Sequence, residues 1–568
     1  MSSTSRNYSI FDMAKHGSVA SMWSTALEEA NNLLNEWYKA CKTATTADEE
    51  NAGFINIVKK LRDLGVLESG ETMEQFMKVS INSVIQKLAT LLNRQGSEHR
   101  SKSISRMDCL ARLFSMIIMK SNSNNDEQRT KHLQQTLKVI CDITVTDCKE
   151  FGASFNGYPH ERLLLSLLTY QMQQFKDRPA LIFNLSDSYA YVLCCYSLVS
   201  VTTTFRRAMT LLQPVCIPNF AASWLDILSD PIFIKLCLTN PVYLDHSRNN
   251  YAMLLAQCLK YLVTFVGDKM SSDTFPFCES VLRLFVRLYE YPEVLYQNAS
   301  LLASFVPFRF VQLRNIILSA TPSYIKLSNP FVVAETYEDV KELKDHPDIS
   351  IDLKIKYPKK IDDKLRNFLR SRELRLESIT QEFHDCKTGK YNVPPLCEFV
   401  LRLGMFGISY LQLNGYPVTY KNVEEDVFLK IFLFFCDDLS WEGRYIMFNA
   451  MANQLRYPNV HTHYFLSMLL AMYQKLDEWS KEVLVRVLLE RVVACRPHPW
   501  GLTVIMVELV KNRKYQLWQQ KFVHMSPDIE KAILSIARSC GVDLKARSEV
   551  GSERGAISDS MSQDDVKI

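Results

Sequence analysis

The sequence lacks the marks of several large protein classes. None of its 15 cysteines are spaced Cys-x-x-Cys, and Cys194 and Cys195 are adjacent, so no disulfide framework is legible. The longest apolar runs, 191–201 and 428–436, fall short of the roughly 18 residues that a spanning helix needs. Residues 2–18 are polar, without the apolar centre of a secretory signal. Neither charge sign dominates. The 66 basic and 62 acidic residues leave a net +4, too balanced for a bulk field to hold nucleic acid or an anionic membrane. Sustained two-residue alternation with hairpin turns is also missing, which excludes a large sheet. The expectation is a soluble chain with reduced thiols, in the cytoplasm and also the nucleus.

Catalytic signatures are missing as well. There is no P-loop, no dinucleotide glycine fingerprint and no nucleophile elbow. His160-Glu161 starts like a zinc-protease motif, but its second histidine is absent. Asp437-Asp438 and Asp564-Asp565 are isolated pairs, whereas oxygen-ligand metal sites need several converging carboxylates. No enzyme activity, catalytic residue, metal or cofactor is expected.

Helical periodicity is what the sequence does contain. Val281, Leu284, Phe285 and Leu288 recur at spacings of three and four, as do Val427, Ile431, Phe434 and Phe435, and Phe465, Leu469, Met472 and Leu476. Each set forms one helix face. Ser526 followed by Pro527 and Asp528 reads as a capped helix start. Pro458 is expected to stop a helix ending near Tyr457, with Thr462 capping the next. Pro497 and Pro499 separate a helix ending near Val493 from one beginning near Trp500. The predicted fold class is all-α, with HEAT-like helical hairpins stacked in two halves; such repeats tolerate drift in sequence because each needs only its apolar face and its neighbours.

The expected layout has a flexible N-terminus (1–20), an N-terminal helical half (21–333), a connector (334–365), a C-terminal helical half (366–544) and a disordered tail (545–568). The tail is rich in Ser, Gly, Glu and Asp with almost no large apolar residues. Segments 43–51, 93–105 and 121–128 are polar and read as a turn and two exposed loops.

Three stretches are candidates for function. His461 and His463, two apart, are zinc-ligand types, but a site needs further ligands, and Cys436, His498 and His524 have no diagnostic spacing. Bonding of these imidazoles to backbone carbonyls or to a partner is the structural alternative. The run of Lys354, Lys356, Lys359, Lys360 and Arg370 is a candidate RNA face, with Lys356, Lys359, Lys360 and Arg370 as its phosphate contacts; interleaved acids make a solvated face the alternative. The third stretch is 441–464, WEGRYIMFNAMANQLRYPNVHTHY, where Arg, Asn, Gln and His crowd among tyrosines. Arg and Tyr are favoured interface anchors. An internal polar network fixing the turn at Pro458 reads equally well.

The strings EGRYIMFNAMANQLRYPNVHTHYF (442–465), VRVLLERVVACRPHPWGL (485–502) and FVHMSPDIEK (522–531) carry a family resemblance, joined by QLRNIILSATP (312–322) and, more weakly, YPHERLL (158–164). They resemble the C-terminal module of the largest, Not-one scaffold subunit of the Ccr–Not mRNA deadenylation complex, over roughly residues 33–540. The resemblance implies a non-catalytic stack of HEAT-like repeats that docks two NOT-box subunits as a heterodimer, supporting mRNA decay and translational repression. It also implies that nucleases attach to a different region of the full-length scaffold, without counterpart here. RNA through the assembled module is a further implied partner; a membrane and a small-molecule substrate are not. Motif position and residue type select Arg444, Asn453, Gln454, Arg456, Tyr457, His461, His463, Tyr464, Pro499, Trp500 and Trp518 as expected partner contacts. Segments near 93 and 121, residues 333–360 and the tail depart from the family pattern, so contacts there do not carry over.

Overall fold

The computed structural model describes residues 20–67, 70–92, 97–120, 126–176, 188–239, 244–267, 272–349, 363, 380–384 and 389–544. Among them no β-strand forms; His384 and Tyr391 make an isolated bridge. The chain divides into two compact units, 1–261 and 262–568.

Unit 1 contains α1 (Ala20–Thr43), α2 (Ala47–Asp63), α3 (Gly70–Leu92), α4 (Ser97–Lys120), α5 (Asp126–Phe151), α6 (Tyr158–Lys176), α7 (Ser188–Leu211), α8 (Ala221–Leu228) and α9 (Pro231–Leu238); the division falls within α10 (Leu244–Val266). Helix α4 packs on α3 and α6, and α5 on α3 and α7. Trp37, Phe54, Phe76, Phe114, Phe205 and Trp224 are buried. Their size supplies much of the apolar area removed from water, at roughly 25 cal/mol per Å². Buried polar handles are satisfied: Trp224 Nε1 donates to Met209 O (2.8 Å), and Tyr251 Oη to Leu228 O (2.8 Å).

Unit 2 contains α11 (Phe275–Arg287), α12 (Pro292–Tyr296), α13 (Ala299–Phe305), α14 (Val311–Ser319), α15 (Pro330–Val333), α16 (Val393–Leu413), α17 (Tyr420–Glu425), α18 (Val427–Asp438), α19 (Trp441–Ala452), α20 (Val460–Lys475), α21 (Glu478–Val493), α22 (Trp500–Lys511) and α23 (Pro527–Ser539). Helix α20 is its axis. Residues 460–473 are buried on every side, among α16, α17, α18, α19 and α22. From Tyr464 to Tyr473 the helix is apolar on nearly every side, Ser467 apart, as a helix in a protein core is. Helix α16 is long and apolar enough to cross a membrane by composition, although the longest runs read from the sequence lie elsewhere. Here it packs on α13, α19 and α20, burying Leu396, Phe399, Val400 and Leu403.

Several local expectations change. The 43–51 turn is confined to its first residues. Thr46 accepts from Glu49 N (3.3 Å) and starts α2, with Asp48, Glu49 and Glu50 in the favourable first turn. The polar 93–105 loop is helical from Ser97, and 126–128 are helical too. Polar composition in these stretches did not mean a lack of helix. Helix α19 ends at Ala452, five residues before the point expected from Pro458, and Asn459, not Thr462, caps α20. The division at 261/262 precedes the expected 334–365 connector. The described part of that connector, 334–349, is a strap on unit 2: Lys341–Lys344 packs on α20, and 334–339 on α22. The basic run with Lys356, Lys359, Lys360 and Arg370 lies outside the described residues, as do the N-terminal 1–19 and the 545–568 tail.

Candidate functional site

The polar string between α19 and α20 turns inward. Asn459 Oδ1 accepts from His461 N (3.0 Å) and Thr462 N (3.1 Å), which caps α20, while its Nδ2 donates to Tyr457 O (2.7 Å). Thr462 Oγ1 is the hub. It accepts from Arg456 N (3.2 Å) and Asn459 Nδ2 (3.1 Å), and its single O–H lies between two carbonyl acceptors, Gln454 O (2.8 Å) and Tyr457 O (2.9 Å). Helix α22 closes the turn: Gly501 N donates to Arg456 O (2.9 Å). A Cβ at Gly501 would meet Thr462 Cγ2 at 2.7 Å and the Leu455 backbone at 3.0 Å, so only glycine lets α22 approach this closely.

Arg456 reaches α12, where its Nη2 donates to Tyr296 O (2.5 Å), and its guanidinium lies 5.1 Å over the Tyr457 ring. Burial lowers its pKa. The strap holds the same turn from another side: Val460 N donates to Asp345 O (2.8 Å), and Asp348 N to Tyr457 Oη (3.3 Å). Tyr337 Oη lies 3.3 Å from Ser467 Oγ, and Glu338 Oε1 lies 3.5 Å from His463 Nε2.

A second knot joins α14, α19 and α21. Arg491 is 1% exposed. The two hydrogens of its Nη2 are shared among three acceptors, Asn449 O (3.0 Å), Asn449 Oδ1 (2.8 Å) and Asn453 Oδ1 (2.8 Å), and its carbonyl accepts from Asn315 Nδ2 (2.8 Å). Burial, then the neighbouring Arg314 guanidinium, push its pKa down. Arg314 donates Nη2 to Val306 O (2.6 Å) and is itself pushed down to about 10 by burial. Neither arginine is among the residues that motif position and residue type select as contacts. The signal was present: each interrupts an apolar helical stretch, QLRNIIL and LLERVV, where a solvated charge has no place.

The sequence-selected contact residues therefore separate. Asn453, Gln454, Arg456, Tyr457, His461, His463, Tyr464, Pro499 and Trp500 are buried in the chain's own core, and Trp500 Nε1 donates to Ser328 O (2.9 Å). Their side chains are engaged within the chain's own core, the arrangement that the internal-network reading expects. Arg444 and Trp518 are half-buried. Arg444 ties α18, α19 and α21 through Leu439 O (3.0 Å), Asp437 O (3.2 Å) and Ser480 Oγ (2.8 Å). Trp518 meets His524 edge-on; His524 bonds both Trp518 O and the Glu530 carboxylate at 2.7 Å, so both its nitrogens donate and its pKa rises. His498 donates to Ala494 O (2.8 Å). Among the described residues no three His, Cys, Asp or Glu side chains converge as metal ligands.

Burial of His461, followed by the Arg456 charge, lowers its pKa to about 4 from 6.5. The unfolded chain takes up this proton first as pH falls. The contribution of the neutral ring is thus present above pH 6.5 and is lost as pH falls through about 4, on the order of 3 kcal/mol in all. Replacing His461 with Gln should flatten the fall of unit 2 stability between these limits, measured by urea titration across pH. An unchanged slope contradicts this assignment.

What the core presents outward is an aromatic ladder. Trp441 stacks on Tyr445 (centroids 5.7 Å, planes 8° apart), with the Arg486 guanidinium 5.4 Å from the Trp441 ring. Glu490 holds both ends, accepting from Tyr445 Oη (2.7 Å) and Arg486 Nε (2.9 Å). Trp441 is 53% exposed, and Trp479 and Val493 are also exposed. From sequence the segment and its Trp441 and Tyr445 stand out, but neither they nor Arg486 and Glu490 are selected as contacts, because exposure of a helical tryptophan depends on which neighbours cover it.

Comparison with known proteins places this architecture. The family described as "CCR4-Not complex component, Not1" matches residues 196–537. The Caenorhabditis elegans CCR4-NOT transcription complex subunit let-711 is 26% identical over 529 residues, covering 89% of this chain and 20% of that protein. The Saccharomyces cerevisiae general negative regulator of transcription subunit 1 is 24% identical over 537 residues, covering 91% and 24%. The chain thus spans about a fifth to a quarter of the length of these relatives. Among solved structures, the NOT1 superfamily homology domain from Chaetomium thermophilum superposes with a TM-score of 0.76 at 21% identity, covering 91% of this chain and 99% of that one. A Not1 C-terminal domain, solved in complex with Not4, gives 0.70 at 22%, covering 89% and 100%.

Proposed function

Because this chain belongs to the CCR4-Not complex component Not1 family, we propose that it is a non-catalytic scaffold that docks other subunits of that assembly through the outer face of unit 2. The NOT-box pair and a Not4-like subunit are its partners, in support of mRNA deadenylation and translational repression. The observation that carries this reading is the aromatic ladder of Trp441, Tyr445, Arg486 and Glu490, exposed on a unit whose interior is locked by polar networks. Trp, Tyr and Arg dominate interface hot spots, and a side chain already held by stacking and an ion pair loses little entropy on binding. The buried motif acts at one remove, fixing the helices that display the ladder.

The test is capture of the cognate NOT-box subunits by the full chain, in parallel with Trp441→Ala. Affinity should fall at least about tenfold, while the thermal midpoint stays near that of the parent chain. Capture of none of these subunits by the parent chain sinks the scaffold reading; equal capture by the variant sinks the role of the ladder.

A further inference from the structure

One face of α21 is left open to solvent. Trp479, Glu482, Arg486 and Val493 follow at spacings of three, four and seven, so they share one stripe along the helix. Trp479 is 74% exposed and Val493 66%, while Val483, Leu484, Val487 and Leu488 are buried. Trp441 of α19 lies beside the stripe, its ring against the Arg486 guanidinium. The two tryptophans belong to one corner of unit 2. Arg444 draws that corner together. It bonds Ser480, next to Trp479, and the Asp437 and Leu439 carbonyls at the end of α18, close in sequence to Trp441.

Carboxylates collect at the same corner. Asp437 and Asp438 end α18, Glu442 lies in the first turn of α19, and Asp477 and Glu478 open α21. All five are exposed. The cations nearby are engaged elsewhere. Arg444 bonds backbone carbonyls and Ser480, Lys481 lies 5.5 Å from the centre of the Tyr473 ring, and Arg486 is held between Trp441 and Glu490. Helix stability accounts for three of the acids. Glu442, Asp477 and Glu478 sit at helix N-termini, where negative charge is favoured, and Asp477 accepts from Ser480 N (3.0 Å). It does not account for Asp437 and Asp438. They stand at the C-terminus of α18, the end that repels negative charge. The acidity of this corner is therefore more than a by-product of the fold.

Resting on the reading that this face docks partner subunits, we propose that its occupant is a basic amphipathic segment of the partner. Apolar side chains of that segment lie on Trp441, Trp479 and Val493, and its lysines or arginines face Asp437, Asp438 and Glu478. From Trp479 to Val493 the stripe runs about 21 Å, at 1.5 Å of rise per residue. That is the length of a segment of about four helical turns. The aromatic anchors supply affinity. The acidic rim supplies speed of encounter and choice of partner, so an acidic segment with the same apolar pattern is turned away. Because these charges are exposed, salt screens their part of the binding.

The test is capture of the NOT-box subunits by the full chain at low and high salt, about 0.05 and 0.3 M. Affinity for the parent chain should fall at least about tenfold between the two. The double variant Asp437→Lys, Asp438→Lys should bind at least about tenfold more weakly at low salt and be nearly indifferent to salt. Its thermal midpoint should hold or rise, since lysine suits a helix C-terminus. A direct probe uses two labelled peptides of about 16 residues with leucines at helical spacing, one filled with lysine and the other with glutamate. The lysine peptide should bind at least about tenfold more tightly than the glutamate peptide, and Trp441→Ala should remove that affinity. Capture that Trp441→Ala weakens, but that neither salt nor the aspartate reversal changes, overturns the proposal and leaves the docking reading standing. If the parent chain captures no subunit, that reading fails, and the peptides decide alone: equal binding of the two overturns the basic occupant. Self-association of the full chain that Trp441→Ala abolishes assigns the face to a second copy and overturns it as well.

Discussion

Arg491→Ala should cost unit 2 about 4 kcal/mol, the sum of a core cavity and stranded acceptors. The side chain is 1% exposed, so its removal leaves a void that neighbouring helices fill only in part. Asn449 Oδ1 and Asn453 Oδ1 lose their shared donor. In a unit of this size the thermal midpoint should drop by roughly 10 °C, with the transition of unit 1 unmoved. Arg491→Met separates the contributions. Methionine keeps most of the volume and removes a guanidinium whose Nε and Nη1 meet no protein acceptor. Replacing a buried charge by an apolar side chain of similar size is often mild, so Met should lose less than half of what Ala loses. Equal losses for the two would mean that hydrogen bonding, not packing, dominates at this position.

Gly407→Ala should cost about 2 kcal/mol in spite of alanine being the better helix former by about 1 kcal/mol. Helix α16 crosses α20 with Gly404 facing Phe465 and Gly407 facing Tyr464, and a methyl group at either position would fall inside the opposing ring. Both rings are fully buried and have nowhere to go. The double variant Gly404→Ala, Gly407→Ala should lose roughly 4 kcal/mol and with it the sharp urea transition of unit 2. Tyr464→Phe supplies the control. The Tyr464 hydroxyl is the atom nearest to the new methyl at 407 and has no hydrogen-bond partner. Its deletion should be nearly neutral alone and should return about 1 kcal/mol to Gly407→Ala. No coupling between the two substitutions would mean that the helices separate as rigid bodies.

Apolar spacing made the helices legible, and caps and prolines made some of their ends legible. Ser526 caps α23 by accepting from Asp528 N, and prolines bracket the gap between α21 and α22, as the residues indicate. The stripe of Val281, Leu284, Phe285 and Leu288 is buried as its spacing requires. The 441–464 segment was also recognisable as special, from its polar crowding and from its family. Its orientation was not. Asn453, Arg456 and His461 have the composition of an interface, and in sequence an interface and a satisfied internal network look the same. What distinguishes them is the arrival of Tyr296, Asp345 and Gly501 from distant stretches to accept or donate the bonds. Charge and proline mark 334–349 as part of a connector between helical halves, and backbone groups at Asp345 and Asp348 dock this described part on unit 2 regardless of its composition.

The bond between Asn315 and Arg491 joins residues 176 positions apart. A ribosome adding about 5–20 residues each second needs on the order of ten to thirty-five seconds between them. During that interval α14 waits for its partner, and α16 leaves the exit tunnel with an apolar surface long enough for a bilayer and, of the helices that cover it, only the seven-residue α13 already made. Helices α19 and α20 follow only later in the chain. Newborn unit 2 is therefore a natural client for holdase chaperones, and the same glycine-to-ring fit that makes the finished unit rigid leaves the unfinished one prone to aggregate.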